Sequence, residues 1–131
     1  MLAWPYTEQA EELSMLTCAP VFVETLGKLT ILHVMGELDI SNYMELSEAL
    51  DDAAGRSSGA LIVGFVECTY IDTSGLTSLV GGHRKYGKRL HVVVPHDSKV
   101  RRIFEATGLH RALLVHDDFR IAIADATVRS A

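Results

Sequence analysis

The stretch Ile71-Asp72-Thr73-Ser74-Gly75-Leu76 places a carboxylate and two hydroxyls in a row, between the end of an apolar run and the start of a helical pattern. Two kinds of chemistry suit that arrangement. Asp, Thr and Ser cap helices, because their oxygens accept hydrogen bonds from first-turn N–H groups that have no partner inside the helix. A hydroxyl on that turn also lies at the positive end of the helix dipole, where an attached phosphate dianion is favourably placed. Capping is the commoner use of such residues. Nucleophilic catalysis is poorly supported, since no G-x-S-x-G elbow surrounds Ser74 and a hydroxyl, a histidine and an aspartate are too common to define a triad. The expectation is a protein without turnover of its own.

The elements that must position this junction can be read along the chain. Val21-Phe22-Val23-Glu24-Thr25 and Leu29-Thr30-Ile31-Leu32-His33-Val34-Met35-Gly36 have strand-forming composition, and Leu26-Gly27-Lys28 between them suits a tight turn, so the domain opens with a β-hairpin. Polar residues then lead into Met44, Leu46, Ala49, Leu50 and Ala53, the stripe of an amphipathic helix. Asn42 and Glu45 have the spacing of a capping box, and Gly55 marks the end. Ala60-Leu61-Ile62-Val63-Gly64-Phe65-Val66 is apolar on both faces, as a central strand covered on each side must be, and it delivers the chain to Asp72. From Thr73 a helix presents Leu76, Leu79, Val80 and His83; Gly81-Gly82 implies either close packing or local unwinding there.

Further on, Arg89-Leu90-His91-Val92-Val93-Val94 is a strand stopped by Pro95. Residues 98–107 form a helix with Val100, Ile103 and Phe104 inward and Gly108 as its end, residues 112–115 a short strand, and residues 119–128 a last helix carrying Phe119, Ile123 and Ala126. The predicted fold is α/β, a mixed, mostly parallel sheet of about five strands with about four packed helices. Sites in such sheets lie beyond the carboxyl ends of the strands. Two ends qualify, Gly36-Glu37-Leu38-Asp39 and Tyr70-Ile71-Asp72-Thr73-Ser74, and they share one face if their strands are neighbours.

Composition narrows the function classes. A chain of 131 residues makes one domain, here residues 21–131, preceded by an extension over residues 1–20 that is either a mobile arm or docks through Trp4 and Tyr6. With 48% hydrophobic and 22% charged residues it is globular, and its net charge of −5 argues against nucleic acid as a direct partner. No apolar run reaches the length of a membrane span, and Cys18 and Cys68 lack ligand spacing, so a cytoplasmic setting is expected. Six histidines, His33, His83, His91, His96, His110 and His116, show no pair at ligand spacing, and neither metal nor cofactor is expected. Lys99, Arg101 and Arg102 form a basic helix edge, either solvated or facing an acidic partner.

Gly36-Glu37-Leu38-Asp39, Asp72-Thr73-Ser74-Gly75-Leu76, Val100-Arg101-Arg102-Ile103-Phe104 and Thr107-Gly108-Leu109 together resemble, in order, the signatures of STAS-domain anti-sigma factor antagonists. The resemblance covers residues 21–126. It implies a STAS-like fold and a partner that is both anti-sigma factor and serine/threonine kinase. The domain would sequester that partner, freeing a sigma factor, and be released on phosphorylation of the first hydroxyl after the aspartate. Carried over, that position is Thr73, with Ser74 as the alternative because the family's acceptor is most often serine. The implied partner-binding residues are Glu37, Asp39, Ser41, Asp72, Thr73, Ser74, Gly75 and Leu76, on a monomer or weak homodimer. The alternative function is a STAS scaffold or transporter-associated subunit in which the hydroxyls only cap the helix.

Overall fold

The computed structural model describes residues 20–130. The N-terminal expectations, including the Trp4 and Tyr6 docking and the thiol of Cys18, lie outside the described residues. Strands β1 (Val21–Leu26) and β2 (Leu29–Val34) form the expected antiparallel hairpin, with Gly27 in the left-handed region at φ 61° where the turn reverses. β4 (Leu61–Gly64), β6 (Leu90–Val93) and β7 (Leu114–His116) continue in parallel, giving a five-stranded sheet of order β1-β2-β4-β6-β7 with β4 at its centre. A separate two-stranded parallel ribbon pairs β3 (Gly36–Leu38) with β5 (Cys68–Ile71). Among the described residues there are five α-helices, α1 (Tyr43–Arg56), α2 (Thr73–Tyr86), α3 (Lys99–Thr107), the single turn α4 (Leu109–Ala112) and α5 (Phe119–Ser130), and a 3-10 turn at Gly87–Arg89.

Side chains alternate across a strand, so a sheet covered on both faces sends odd and even residues into different cores. Leu32 and Val34, Leu61 and Val63, and Leu90 and Val92 face the larger core. There they meet Leu46 and Leu50 of α1, Leu79 of α2, and Val100 and Phe104 of α3. Ile31, Ile62 and Val93 point the other way, onto Ala122 and Ala126 of α5. The expected burial of Ile62 and Phe65 is found, whereas Val66 has left the strand and is exposed. At the sheet centre Gly64 leaves room for the ring of Phe119, which a Cβ there would strike.

Several boundaries differ from the sequence reading. Helix α1 runs one residue past Gly55, and Met44 faces solvent at 55% exposure instead of joining the apolar stripe. The C-terminal strand starts at Leu114, because residues 109–112 first make the turn α4. Helix α2 stays continuous through Gly81-Gly82. Close packing is the reason at Gly82, where an added Cβ would come 2.9 Å from Leu50 Cδ1. Gly108 ends α3 with φ 78°, as expected, whereas Ser98 lies outside the helix as its N-cap, its hydroxyl accepting from Arg101 N.

The smaller core contains a titratable group whose burial has a consequence. His33 is fully buried, 2.8 Å from the Glu24 carboxylate and beside Phe119. Desolvation outweighs the Glu24 contact and pushes its pKa below the ordinary histidine value. The unfolded chain therefore takes up this proton first, and the stability contributed is complete above about pH 6.5 and is lost as pH falls below it. Urea midpoints should fall between about pH 7 and about pH 5. The fall should be shallower in His33→Leu; an unchanged slope would show that His33 is not the group responsible.

Candidate functional site

The ribbon β3–β5 brings the two polar strand ends together. Leu38 pairs with Ile71 and both side chains are buried beneath it, so the segments that follow, Asp39-Ile40-Ser41 and Asp72-Thr73-Ser74, emerge side by side. The sequence reading attached Asp72 to the central strand; it follows β5, a short strand that the pattern did not reveal. Gly36, with φ 72°, turns the chain out of the main sheet and into the ribbon. Beneath the ribbon, burial pushes the Cys68 thiol up to about 11, which leaves it protonated and a poor nucleophile.

Asp72 is the N-cap of α2, with extended backbone, and both its carboxylate oxygens are used. Oδ1 accepts from Gly75 N at 3.0 Å, and Oδ2 accepts from Ile40 N at 3.1 Å across the ribbon. Its own amide donates to Leu38 O at 3.1 Å. Thr73 is thus the first helical residue and not the cap. Its side chain is exposed, and its hydroxyl has no hydrogen-bond partner among the described residues. Ser74 is half-buried and likewise has no side-chain partner among them. Because Asp72 serves the Gly75 amide, the first-turn N–H groups of Thr73 and Ser74 have no protein acceptor among the described residues.

Opposite this turn, Asp39 is half-buried and its Oδ1 accepts from Ser41 N at 3.0 Å and from the Ser41 hydroxyl at 2.5 Å. Asn42 precedes α1 without the expected capping box. Its Oδ1 accepts from Asp39 N at 2.9 Å and its Nδ2 donates to Glu37 O at 2.9 Å, so the side chain braces the incoming loop and does not reach the first turn of α1. Glu37 is exposed. Gly75 is buried; an added Cβ would lie 2.7 Å from Ile71 Cγ1 and 2.9 Å from Leu38 O. Only glycine lets α2 sit this close to the ribbon. Leu76 is half-buried against the larger core and borders a shallow hollow with Thr73, Thr77 and Val80.

Three apolar side chains around this surface were not singled out as site residues. Ile40 is 69% exposed, and Met44 and Tyr70 are both exposed as well. Tyr70 stands in register with Glu37 on the open side of the ribbon. Ile40, framed by Asp39 and Ser41 in an otherwise polar loop, is the one whose exposure was readable in advance. The α2 axis is held against α1 by Ser78, whose hydroxyl contacts Ser47 and donates to Tyr43 O at 3.0 Å, and by Asp51, which receives Lys85 Nζ at 3.1 Å and the Tyr86 hydroxyl. Arg101 is not part of a free basic edge. It donates to Val94 O at 2.9 Å and Asp117 at 3.1 Å, pinning α3 to the end of β6, while Lys99 and Arg102 remain exposed. The histidine reading also needs correction, since His91 and His116 come together with Asp125 on the far face of the sheet.

A mixed sheet opening on a hairpin, with a capped helix start presenting small hydroxyls beside a second polar loop, defines the class as a small α/β domain. The family model described as Mlab, STAS domain, matches residues 21–116, and the chain belongs to the STAS domain family. Among solved structures, an anti-sigma factor antagonist from Mycobacterium paratuberculosis superposes with a TM-score of 0.74 at 23% identity, covering 82% of this chain and 92% of that one. The anti-sigma factor antagonist SpoIIAA in its unphosphorylated form gives 0.61 at 18% identity, covering 85% and 99%. A sulfate transporter family protein from Wolinella succinogenes gives 0.65 at 17% identity, covering 96% and 97%. No curated protein matches the chain by sequence. At these identities the likeness to solved structures establishes the fold. Among the described residues, no helix is long and apolar enough to cross a membrane.

The tight seat of α2 on the ribbon yields a direct test. Gly75→Ala should destabilise the domain by about 1–3 kcal/mol through overpacking against Leu38 and Ile71, read as a lowered urea midpoint. Asp72→Ala should cost about 0.5–2 kcal/mol as a lost N-cap. A Gly75→Ala protein as stable as the parent would show that the ribbon yields freely.

Proposed function

We propose that this domain is an anti-sigma factor antagonist: it binds an anti-sigma factor with kinase activity through the surface around Thr73, and phosphorylation of Thr73 releases it. The observation that carries the reading is the division of labour at the start of α2. Asp72 caps the helix, so Thr73 is free of structural duty, exposed, and seated on a turn whose Thr73 and Ser74 amides await an acceptor. A phosphate on Thr73 finds those amides and the helix dipole close by, which supports a modification that leaves the fold in place.

The effect falls on binding. Ile40, Met44 and Tyr70 supply exposed apolar area for a partner, with Glu37, Asp39 and Ser41 on one strand end and Ser74 and Leu76 at the start of α2 as the polar and bordering contacts. A partner fitted to the neutral hydroxyl would meet roughly −1.5 to −2 added charge after modification, beside the carboxylates of Asp39 and Asp72. Ser74, half-buried, is the less accessible acceptor. The domain acts by binding and release and has no turnover of its own.

A second reading, a STAS subunit of a transporter assembly, is favoured by the likeness to the Wolinella succinogenes sulfate transporter family protein over nearly the full length of both chains. In that role Thr73 would contribute only to the helix start.

Substitution separates the two. With the kinase partner and ATP, Thr73→Ala should abolish phosphate incorporation and leave partner binding largely intact, while Ser74→Ala should still be modified. Thr73→Glu should weaken binding by about tenfold or more, equal to about 1.4 kcal/mol. If Ser74→Ala alone blocks labelling, Ser74 is the acceptor. If neither substitution changes labelling or binding, and the protein co-purifies with a membrane transporter complex, the second reading replaces the first.

A further inference from the structure

On the face of the sheet opposite α2, three side chains from three elements converge. His91 on β6 and His116 on β7 both point toward α5, because His91 shares a face with Val93 and His116 is in register with Val93. Asp125 comes from α5, one residue before the buried Ala126. His91 Nδ1 lies 3.1 Å from His116 Nε2, and the Asp125 Oδ2 atom is 3.5 Å from each of those nitrogens. We propose that His91 Nδ1, His116 Nε2 and Asp125 Oδ2 form a binding site for a zinc-class divalent transition metal ion, which ties the terminal helix α5 to strands β6 and β7.

Geometry and donor chemistry carry the proposal. Bonds of about 2.0–2.1 Å in a tetrahedral zinc site separate neighbouring ligand atoms by about 3.3 Å. The triangle of 3.1, 3.5 and 3.5 Å already has that size, and the two rings, whose centroids are 5.4 Å apart, must tilt to turn their facing nitrogens from each other onto a shared ion. Two imidazoles and one carboxylate suit zinc and its neighbours in the first transition row better than magnesium or calcium, which favour all-oxygen sets. His91 is 1% exposed while the Asp125 side chain is 29% exposed, so the site is anchored in the core and open at its rim. His91 and Arg129 border a common cleft with Lys88 and Arg89.

Protonation agrees with this use. Burial, aided for His91 by the neighbouring imidazole, lowers the pKa of His91; burial also lowers that of His116. The hydrogen bond from Arg129 lowers that of Asp125. Near neutral pH the set is therefore two neutral imidazoles and a carboxylate, the forms a metal requires. One imidazole donates to the other in the metal-free cluster. Metal binding needs both facing lone pairs, so each ring holds its single proton on its outer nitrogen, with no net proton change in the pair.

The competing cation is Arg129, whose Nε donates to the same Asp125 oxygen at 2.8 Å. It is four residues on, in the last turn of α5, and 45% exposed. Exposed pairs of this spacing hold weakly, and a divalent ion with two further ligands displaces it. That competition makes the proposal specific. Removing Arg129 should strengthen metal binding, whereas a site whose real occupant is the guanidinium would gain nothing.

The test uses the full chain freed of metal by chelator, with zinc alone in calorimetry and cobalt(II) alone in visible absorption. The expected result is one ion per chain, a tetrahedral cobalt spectrum, and a Tm raised by zinc. His116→Gln and Asp125→Asn should each weaken zinc binding at least tenfold, and Arg129→Gln should tighten it several-fold, with circular dichroism confirming the fold of each. If His116→Gln does not fold, Asp125→Asn, on the helix surface, decides alone. Absence of one-to-one binding by the parent chain, or zinc binding unchanged in Asp125→Asn, overturns the proposal.

Discussion

The Asp72 carboxylate is the joint on which the site depends. One oxygen caps α2 through the Gly75 amide, and the other crosses the ribbon to the Ile40 amide. A single side chain thereby fixes both the direction of the helix and the position of the neighbouring loop. Charge-assisted hydrogen bonds of this kind are stronger than neutral ones, and the buried contact of Gly75 with Ile71 and Leu38 closes the same joint from beneath. Thr73 stands next to this fixed point while taking no part in it, so chemistry on its hydroxyl is separated from the bonds that hold the fold.

The rest of the molecule keeps that joint rigid. Helix α1 braces α2 through Ser47, Ser78, Asp51 and Lys85, and both helices bury their apolar stripes on one face of the central sheet. Arg89 closes the far end of that layer, donating to the carbonyls of Gly59 at 2.6 Å, Ala54 at 3.3 Å and Ser57. Among the described residues, the opposite face is covered by α5, whose small alanines meet Ile31, Ile62 and Val93. It is the face where His33, His91 and His116 lie buried or nearly so.

Under the proposed switch, a modification at Thr73 would act without refolding the domain. A phosphate there would change the local charge sharply, but the first-turn amides and the dipole of a 14-residue helix would offset part of that within the domain. A partner surface would receive no such compensation, so the unfavourable free energy would fall at the interface.

What the sequence by itself determined was everything that depends on one element at a time. The continuous apolar run at 61–63 dictated a strand buried on both faces, residues 90–93 read as a strand stopped by Pro95, Gly108 ended α3, and the order Asp72-Thr73-Ser74 located the helix start. Tertiary structure decided what depends on two elements meeting. β3 and β5 have three and four residues, too few for a period to show, and become strands only because each supplies the other's backbone partners. The same holds for Asn42, whose side chain serves the loop instead of α1, and for Asp72, which turned out to be the cap and freed Thr73. His91, His116 and Asp125 are far apart in sequence, and strand register together with the seat of α5 brings them within 3.5 Å. Periodicity records which side of an element is buried; which side chain meets which is set by register and packing, and these exist only once the chain has folded.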